Sequence, residues 1–249
     1  MAKQKLSLKV VHILIVFIII IAIVFTGFMI VLNYSEKGET NMPFYISKIS
    51  IISTIDGQDV DNHDYKWSLN VIQNNDVYIY IEKNDNYKKQ ETIKSILLTN
   101  FNIVNSPKIG AINIYKPIKN ETSLYINSDD NIVKELEYKG TKSTDKSKLE
   151  ISNQGGVLSF RLGNNNIGTY FSNDDEEINY EALAKKININ ESDIQAKITF
   201  DMIITLNSGK AFKAESIVIE VPNKDIVEKG TVGIENTELD EIVFKRIEN

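Results

Sequence analysis

The sequence predicts a mainly β protein: one N-terminal transmembrane helix, then an extracytoplasmic β-sandwich-like domain with one short helix. Three observations predict it. Residues 10–32 run for 23 positions without a charge. Beyond them the apolar period switches from helical to two. Glycine- and asparagine-rich turns then punctuate about ten short strand segments.

The elements follow in chain order. Residues 1–9 form a basic tail with Lys3, Lys5 and Lys9. Within 10–32 only His12, Thr26 and Gly27 interrupt the apolar run. As a helix it covers ~35 Å, against ~30 Å of hydrocarbon. A cleaved signal peptide has a shorter apolar core and an A-x-A-like site. This run is longer and no such site follows, so it reads as an uncleaved signal anchor. The lysines before it place the N-terminus in the cytoplasm and the rest of the chain outside. Residues 33–43 read as a polar tether ending at Pro43.

From 44 to 249 the pattern is that of strands. Trp67, Leu69 and Val71 alternate with polar residues, as do Val77, Ile79 and Ile81. Asn74-Asn75-Asp76 between them reads as a hairpin turn. A three-residue loop pairs Val71 with Ile79 and Leu69 with Ile81, giving one apolar face; a two-residue loop would split it. Near the C-terminus, Asn207-Ser208-Gly209 reads as a second three-residue loop. It pairs Ile204 with Phe212, Met202 with Ala214 and Ile198 with Val218. Its cost is Asp201 facing Glu215, a like-charge pair that Lys213 relieves diagonally.

Further strands are expected at 45–55, 93–104, 111–115, 132–138, 157–162, 217–221 and 241–247. Gly155-Gly156 and residues 163–166 read as turns flanking the strand at 157. Tyr180, Leu183, Ala184 and Ile187 share a helical face, with Glu176 and Glu177 upstream at the positive end of the dipole. The stretch 139–148 is either a boundary between two β lobes or an ordinary long loop. There is no internal repeat and no wall-sorting motif.

Composition excludes several functions. The chain has no cysteine, so thiolate metal sites and cysteine nucleophiles are ruled out. Its two histidines, His12 and His63, leave little scope for a histidine metal centre. Its only arginines are Arg161 and Arg246. Of the 28 basic residues three precede residue 10, while all 34 acidic ones follow it, so the exposed part is strongly acidic. That field argues against nucleic acid and suits cations or basic partners. The abundance of Ile, Asn and Lys points to AT-rich coding and a low-GC Gram-positive host.

The candidate sites are few. Asp56, Asp59, Asp61 and Asp64 supply four carboxylates within nine residues and form a weak Ca²⁺ candidate, without the spacing of an EF-hand. The run 174–177 (Asp-Asp-Glu-Glu) is explained by helix N-terminal charge. His63 has no serine in a nucleophile-elbow context, so no catalytic residue is assigned. Tyr78 and Tyr80 project opposite the Trp67 face and could stack on a sugar or anchor a partner. The asparagines at 164–166 and Asn173 could meet sugar hydroxyls.

The strings KWSLNVIQNNDVYIYIEKN (66–84), ISNQGG (151–156) and NNNIGTYFSND (164–174) resemble a group of uncharacterised single-pass membrane proteins of clostridia-like bacteria. The resemblance implies host and topology and carries no activity, cofactor or catalytic residue. The expected function is binding of a protein or envelope ligand by a non-catalytic domain anchored in the lipid bilayer. An accessory subunit of a membrane complex is one form of it. An anchored envelope hydrolase and a calcium-dependent adhesin-like module are the alternatives.

Overall fold

Nothing in the charge-free N-terminal run interrupts a helix, and it forms one. In the structure, a computed structural model describing residues 8–60, 68–118, 124–142, 149–171 and 183–248, helix α1 spans Leu8–Lys37. It is long and apolar enough to cross a membrane. The expected tether is shorter than 33–43, because the helix runs five residues past Leu32. Once nucleated, a helix gains one hydrogen bond per added residue. Gly38 stops it at φ +62°, where its N–H donates to the Tyr34 carbonyl at 2.8 Å.

The chain divides into two compact units, Met1–Thr40 and Asn41–Asn249. The second holds two sheets. Its strands are β1 (Phe44–Val60), β2 (Ser68–Lys83), β3 (Ile93–Asn105), β4 (Ala111–Tyr115), β5 (Leu136–Gly140) and β6 (Leu149–Ile151). Then follow β7 (Gly156–Phe171), helix α2 (Leu183–Lys186), β8 (Lys197–Leu206) and β9 (Ala211–Glu220). Helix α3 (Ile226–Lys229), β10 (Thr231–Asn236) and β11 (Phe244–Ile247) complete it. Sheet A is ordered β10-β1-β2-β7-β4, and sheet B β11-β9-β8-β3-β5-β6. All pairings are antiparallel except β5 with β6.

The strands of sheet A are long because they serve two cores. Near the start of β1 and the end of β2, the inward residues Ile49, Ile51, Val77, Ile79 and Phe160 pack with Ile96, Leu98, Phe200 and Met202 of sheet B. Phe101, Phe160 and Phe200 form a ring cluster with centroids 5.4–5.8 Å apart. Toward the other end, Ile55, Leu69, Val71 and Ile167 are covered by Leu183, Ala184, Ile189 and Ile226 from α2, α3 and their loops. Between the two clusters lies a buried polar row of Ser53, Gln73, Asn75 and Asn164. The Gln73 amide donates to Ser53 Oγ at 3.0 Å, Asn75 to the Leu162 carbonyl at 2.9 Å and Asn164 to the Ile109 carbonyl at 3.2 Å.

That row corrects the first hairpin. Asn74-Asn75-Asp76 is not a turn; it lies in the middle of one continuous strand, and the Val71–Ile79 and Leu69–Ile81 pairs do not form. β1 and β7 flank β2 on both sides along its length, so its backbone groups find ladder partners without folding back. The facing survives the correction. In a continuous strand Leu69, Val71, Val77, Ile79 and Ile81 still share one face, the face that a three-residue loop would also give them. The turn expected at 163–166 is likewise strand, inside β7. Gly163 is there because the Tyr115 ring lies on it: a Cβ would stand 2.7 Å from Tyr115 Cε2. Asn166 takes φ +58° where the β2–β7 register shifts.

The second hairpin forms with Ile204 opposite Phe212 and Met202 opposite Ala214. Ile198, however, pairs with Ile219 and not with Val218. A bulge shifts the register between Phe200 and Met202, and opposite it Ser216 adopts φ +55°. The extra residue turns Ile217, Ile219 and Val221 inward in place of Ser216, Val218 and Glu220, which is the more apolar set. Lys213 does relieve the acidic pair, reaching Asp201 at 3.0 Å and Glu215 at 2.8 Å.

Of the expected helix, α2 contains Leu183 and Ala184, both buried. Tyr180, Glu176 and Glu177 lie outside the described residues, as do Trp67, His63 and the acidic run 174–177. β5, which ends at Gly140, and β6 are neighbours in sheet B, and Asn41–Asn249 is one compact unit.

Candidate binding face

The outward side of sheet A is built by the even-numbered residues of β2. Glu82, Tyr80, Tyr78 and Asp76 follow one another along it, because alternate strand residues share a face. Cross-strand neighbours extend the row. Lys48 and Val157 flank Tyr80, Ser50 and Ser159 flank Tyr78, and Ile52 and Arg161 flank Asp76. Tyr45 stands opposite Glu82.

Each aromatic ring here is held differently. Lys48 Nζ sits 4.4 Å from the Tyr80 ring centroid and also reaches Glu235 at 2.7 Å. The first contact is a cation–π arrangement, which fixes the ammonium beside the ring. Tyr45, largely exposed, donates its hydroxyl to Glu82 at 3.2 Å, and Ser47 donates to the other Glu82 oxygen at 2.8 Å. The Glu82 hydrogen bond pushes the Tyr45 hydroxyl pKa up. Tyr78 is partly buried, and that burial, with Asp76 nearby, also raises its pKa.

A clamp closes one end of the face. Arg161 grips Asp76 with two parallel hydrogen bonds, of 2.6 Å from Nε and 3.0 Å from Nη2. The same guanidinium donates to Asn127 at 3.3 Å and lies 4.7 Å from the Tyr125 ring centroid. Asn127 in turn donates to Asn74 at 2.7 Å. The segment carrying Tyr125 and Asn127 is thereby pinned to sheet A. Burial drives the Tyr125 and Tyr138 hydroxyls far above their ordinary range, so both stay protonated.

The sequence-predicted residues are thus partly assembled. Tyr78 and Tyr80 do project opposite the core. Asp56 and Asp59 fall on opposite faces of β1, so an ion bound by one is turned away from the other. Asp56 accepts from the Gly57 N–H at 2.8 Å. Asp61 and Asp64 lie outside the described residues. Among the described residues, no three His, Cys, Asp or Glu side chains gather as ion ligands. Asn164, Asn165 and Asn166 are turned to internal partners: the Ile109 carbonyl, the Tyr115 hydroxyl and the Asn70 amide. Sequence reasoning missed Tyr45, Val157 and Arg161. Their place beside Tyr78 and Tyr80 depends on which strands flank β2, which no local pattern specifies.

Chemically, the face offers flat π surfaces, an ammonium at a ring and the carboxyl group of Glu82. The carboxyl groups with a resolved shift, Glu91, Asp193, Asp201 and Asp225, are all shifted downward. For Glu91 and Asp201 burial opposes that direction, and hydrogen bonds from Lys210 and from Asn100, Ser216 and Lys213 outweigh it. That is the direction expected of ion-paired and hydrogen-bonded carboxylates.

The class defined so far is a two-sheet β-sandwich in one chain with a membrane-length helix. No protein-family model matches the chain, and no curated protein or solved structure matches it.

Proposed function

We propose that this chain is a single-pass membrane protein whose β-sandwich works outside the cytoplasm as a non-catalytic binding domain. Its ligand is a protein or an envelope component, and it acts as an accessory subunit of a membrane complex. One observation carries the reading: a membrane-length helix shares the chain with a sandwich whose outer sheet presents Tyr45, Tyr78 and Tyr80 beside Lys48. Lys3, Lys5 and Lys9 before the helix support a cytoplasmic N-terminus. Aromatic rings held on a rigid sheet supply contact area at little entropic cost. No cofactor or metal enters this reading.

Two experiments test it. A C-terminal reporter that is active only outside the cytoplasm is expected to be active; a silent reporter overturns the topology. Crosslinking of the full-length protein in its native membrane, read by mass spectrometry, is expected to recover one stoichiometric partner. Tyr80→Ala should weaken that recovery, and unchanged recovery removes the face from the interaction.

A further inference from the structure

β10 is one edge of sheet A, and β9 is next to the edge strand β11 in sheet B. β11 covers β9 only from Ala211 to Ala214. From Glu215 to Glu220, β9 pairs with β8 on one side only; on its other side no strand is paired with it among the described residues. Between this bare edge and β10 runs a groove of about 500 Å³. Ile49 and Ile51 of sheet A and Ile217 and Ile219 of sheet B line it. The chain crossing from β10 to β11 lines it with Leu239 and Ile242, which also pack against the main core.

We infer that this groove receives an extended segment of a partner protein, added as a strand to the bare edge of β9, with apolar and basic residues alternating along it. The edge supplies the backbone half of the argument. Natural edge strands are guarded by charged side chains, proline, bulges or a covering segment. Between the bulge at Ser216 and Glu220, the edge reads Ile217-Val218-Ile219 with neither proline nor charge, and Val218 is 47% exposed. An added strand of about six residues spans ~20 Å and satisfies that row of N–H and C=O groups.

Charge supplies the other half. The groove lining contains Glu215, Glu220, Glu238 and Glu241 against a single base, Lys197. Lys213 and Lys197 already engage Glu215 and Glu220. Glu238 and Glu241 have no ion pair among the described residues and are left to meet a basic partner. The incoming strand would put alternate apolar side chains over Ile217 and Ile219 and its lysines or arginines toward those two glutamates. A second copy of this chain is disfavoured, because pairing two β9 edges would bring two acidic rims together.

This inference rests on the binding-domain reading and specifies its partner. The test uses the full chain in non-ionic detergent and a fluorescein-labelled octapeptide alternating lysine and valine. Saturable binding by fluorescence anisotropy is expected. The double variant Glu238→Lys/Glu241→Lys should weaken it by about tenfold or more. Val218→Glu, at an exposed position, should weaken it as well. A peptide with glutamate in place of lysine, and one N-methylated at alternate residues, should not bind. Absence of saturable binding, or equal affinity for either control peptide, overturns the inference. So does unchanged affinity in both variants, or a stable dimer that the peptide does not open. An active outside reporter with no peptide binding sinks the groove alone; binding with a silent reporter sinks the topology alone.

Discussion

Truncating Asp76 separates two accounts of the central strand. If Asn74-Asn75-Asp76 were a solvated turn, Asp76→Ala would change stability by no more than about 0.5 kcal/mol. In the structure Asp76 is a mid-strand residue whose carboxylate takes two hydrogen bonds from Arg161, with side chains 21% and 16% exposed. Breaking a fully buried pair by removing one partner costs about 3–5 kcal/mol, because the other charge is stranded. With a fifth of each side chain still wet, about 2–3 kcal/mol is the appropriate range. Arg161→Ala should cost somewhat more, since it also removes the Tyr125 ring contact and the Asn127 hydrogen bond. For a domain of roughly 200 residues each kcal/mol lowers Tm by ~2–4 °C, so Asp76→Ala should melt about 4–12 °C early. The assay is urea and thermal unfolding of the full chain, in detergent, for wild type, both single variants and the double variant. The double variant should be less destabilised than the sum of the singles by about 1.5 kcal/mol or more. Additive effects, or a neutral Asp76→Ala, would refute the continuous strand and the clamp together.

Four further outcomes are expected. The buried Ser53–Gln73 pair contributes little net stability, because Gln73 Oε1 is buried without a hydrogen-bond partner among the described residues. Ser53→Ala/Gln73→Met should therefore be neutral or stabilising in urea, whereas Ser53→Ala alone should destabilise by about 1–3 kcal/mol. Gly209→Ala strains a backbone at φ +88°, its added Cβ meeting nothing within 4 Å among the described residues, and should cost about 1 kcal/mol. Gly110→Ala at φ +89° also drives a Cβ to 2.1 Å from Asn164 Oδ1, so it should melt well below Gly209→Ala. Asp201 is held below the usual carboxylate range despite its burial, by Asn100, the Ser216 N–H and Lys213. A depressed folded pKa gives stability that is present above the unfolded value of about 3.9 and lost as pH falls through the folded one. Asp201→Asn should then lose less stability than wild type between about pH 7 and about pH 2, in urea melts. Millimolar calcium should leave Tm unchanged, since Asp56 and Asp59 face opposite ways; a rise on calcium addition would restore the adhesin-like alternative.

What was legible in the sequence is what short-range periodicity carries. The charge-free run at 10–32 specifies its own helix, because a helix satisfies its backbone internally whatever surrounds it. Alternation along 69–71, 77–81 and 198–206 specifies which side chains turn inward, and the structure keeps those facings. Asn207-Ser208-Gly209 places a turn because Gly209 tolerates the positive φ it requires. Tyr78 and Tyr80 were placed on the outer face by the same parity argument.

Other features were decided only by the tertiary structure. Asn74-Asn75-Asp76 and residues 163–166 carry turn composition, yet both lie in strands, because β1, β2, β7 and β4 bring ladder partners and amide acceptors that are far away in sequence. The bulge at Ser216 exists because the core prefers Ile217 and Ile219 to Ser216 and Val218, a choice visible only once sheet A packs opposite. The Arg161 clamp, the membership of Tyr45 and Val157 in the outer face, and the open groove beside β9 all depend on strand order. The sequence by itself determined the helix, the β period and the inward faces, since these follow from neighbours two to four residues apart. The tertiary structure alone decided strand order, continuity and edges, since these follow from which distant strands compete for the same backbone hydrogen bonds.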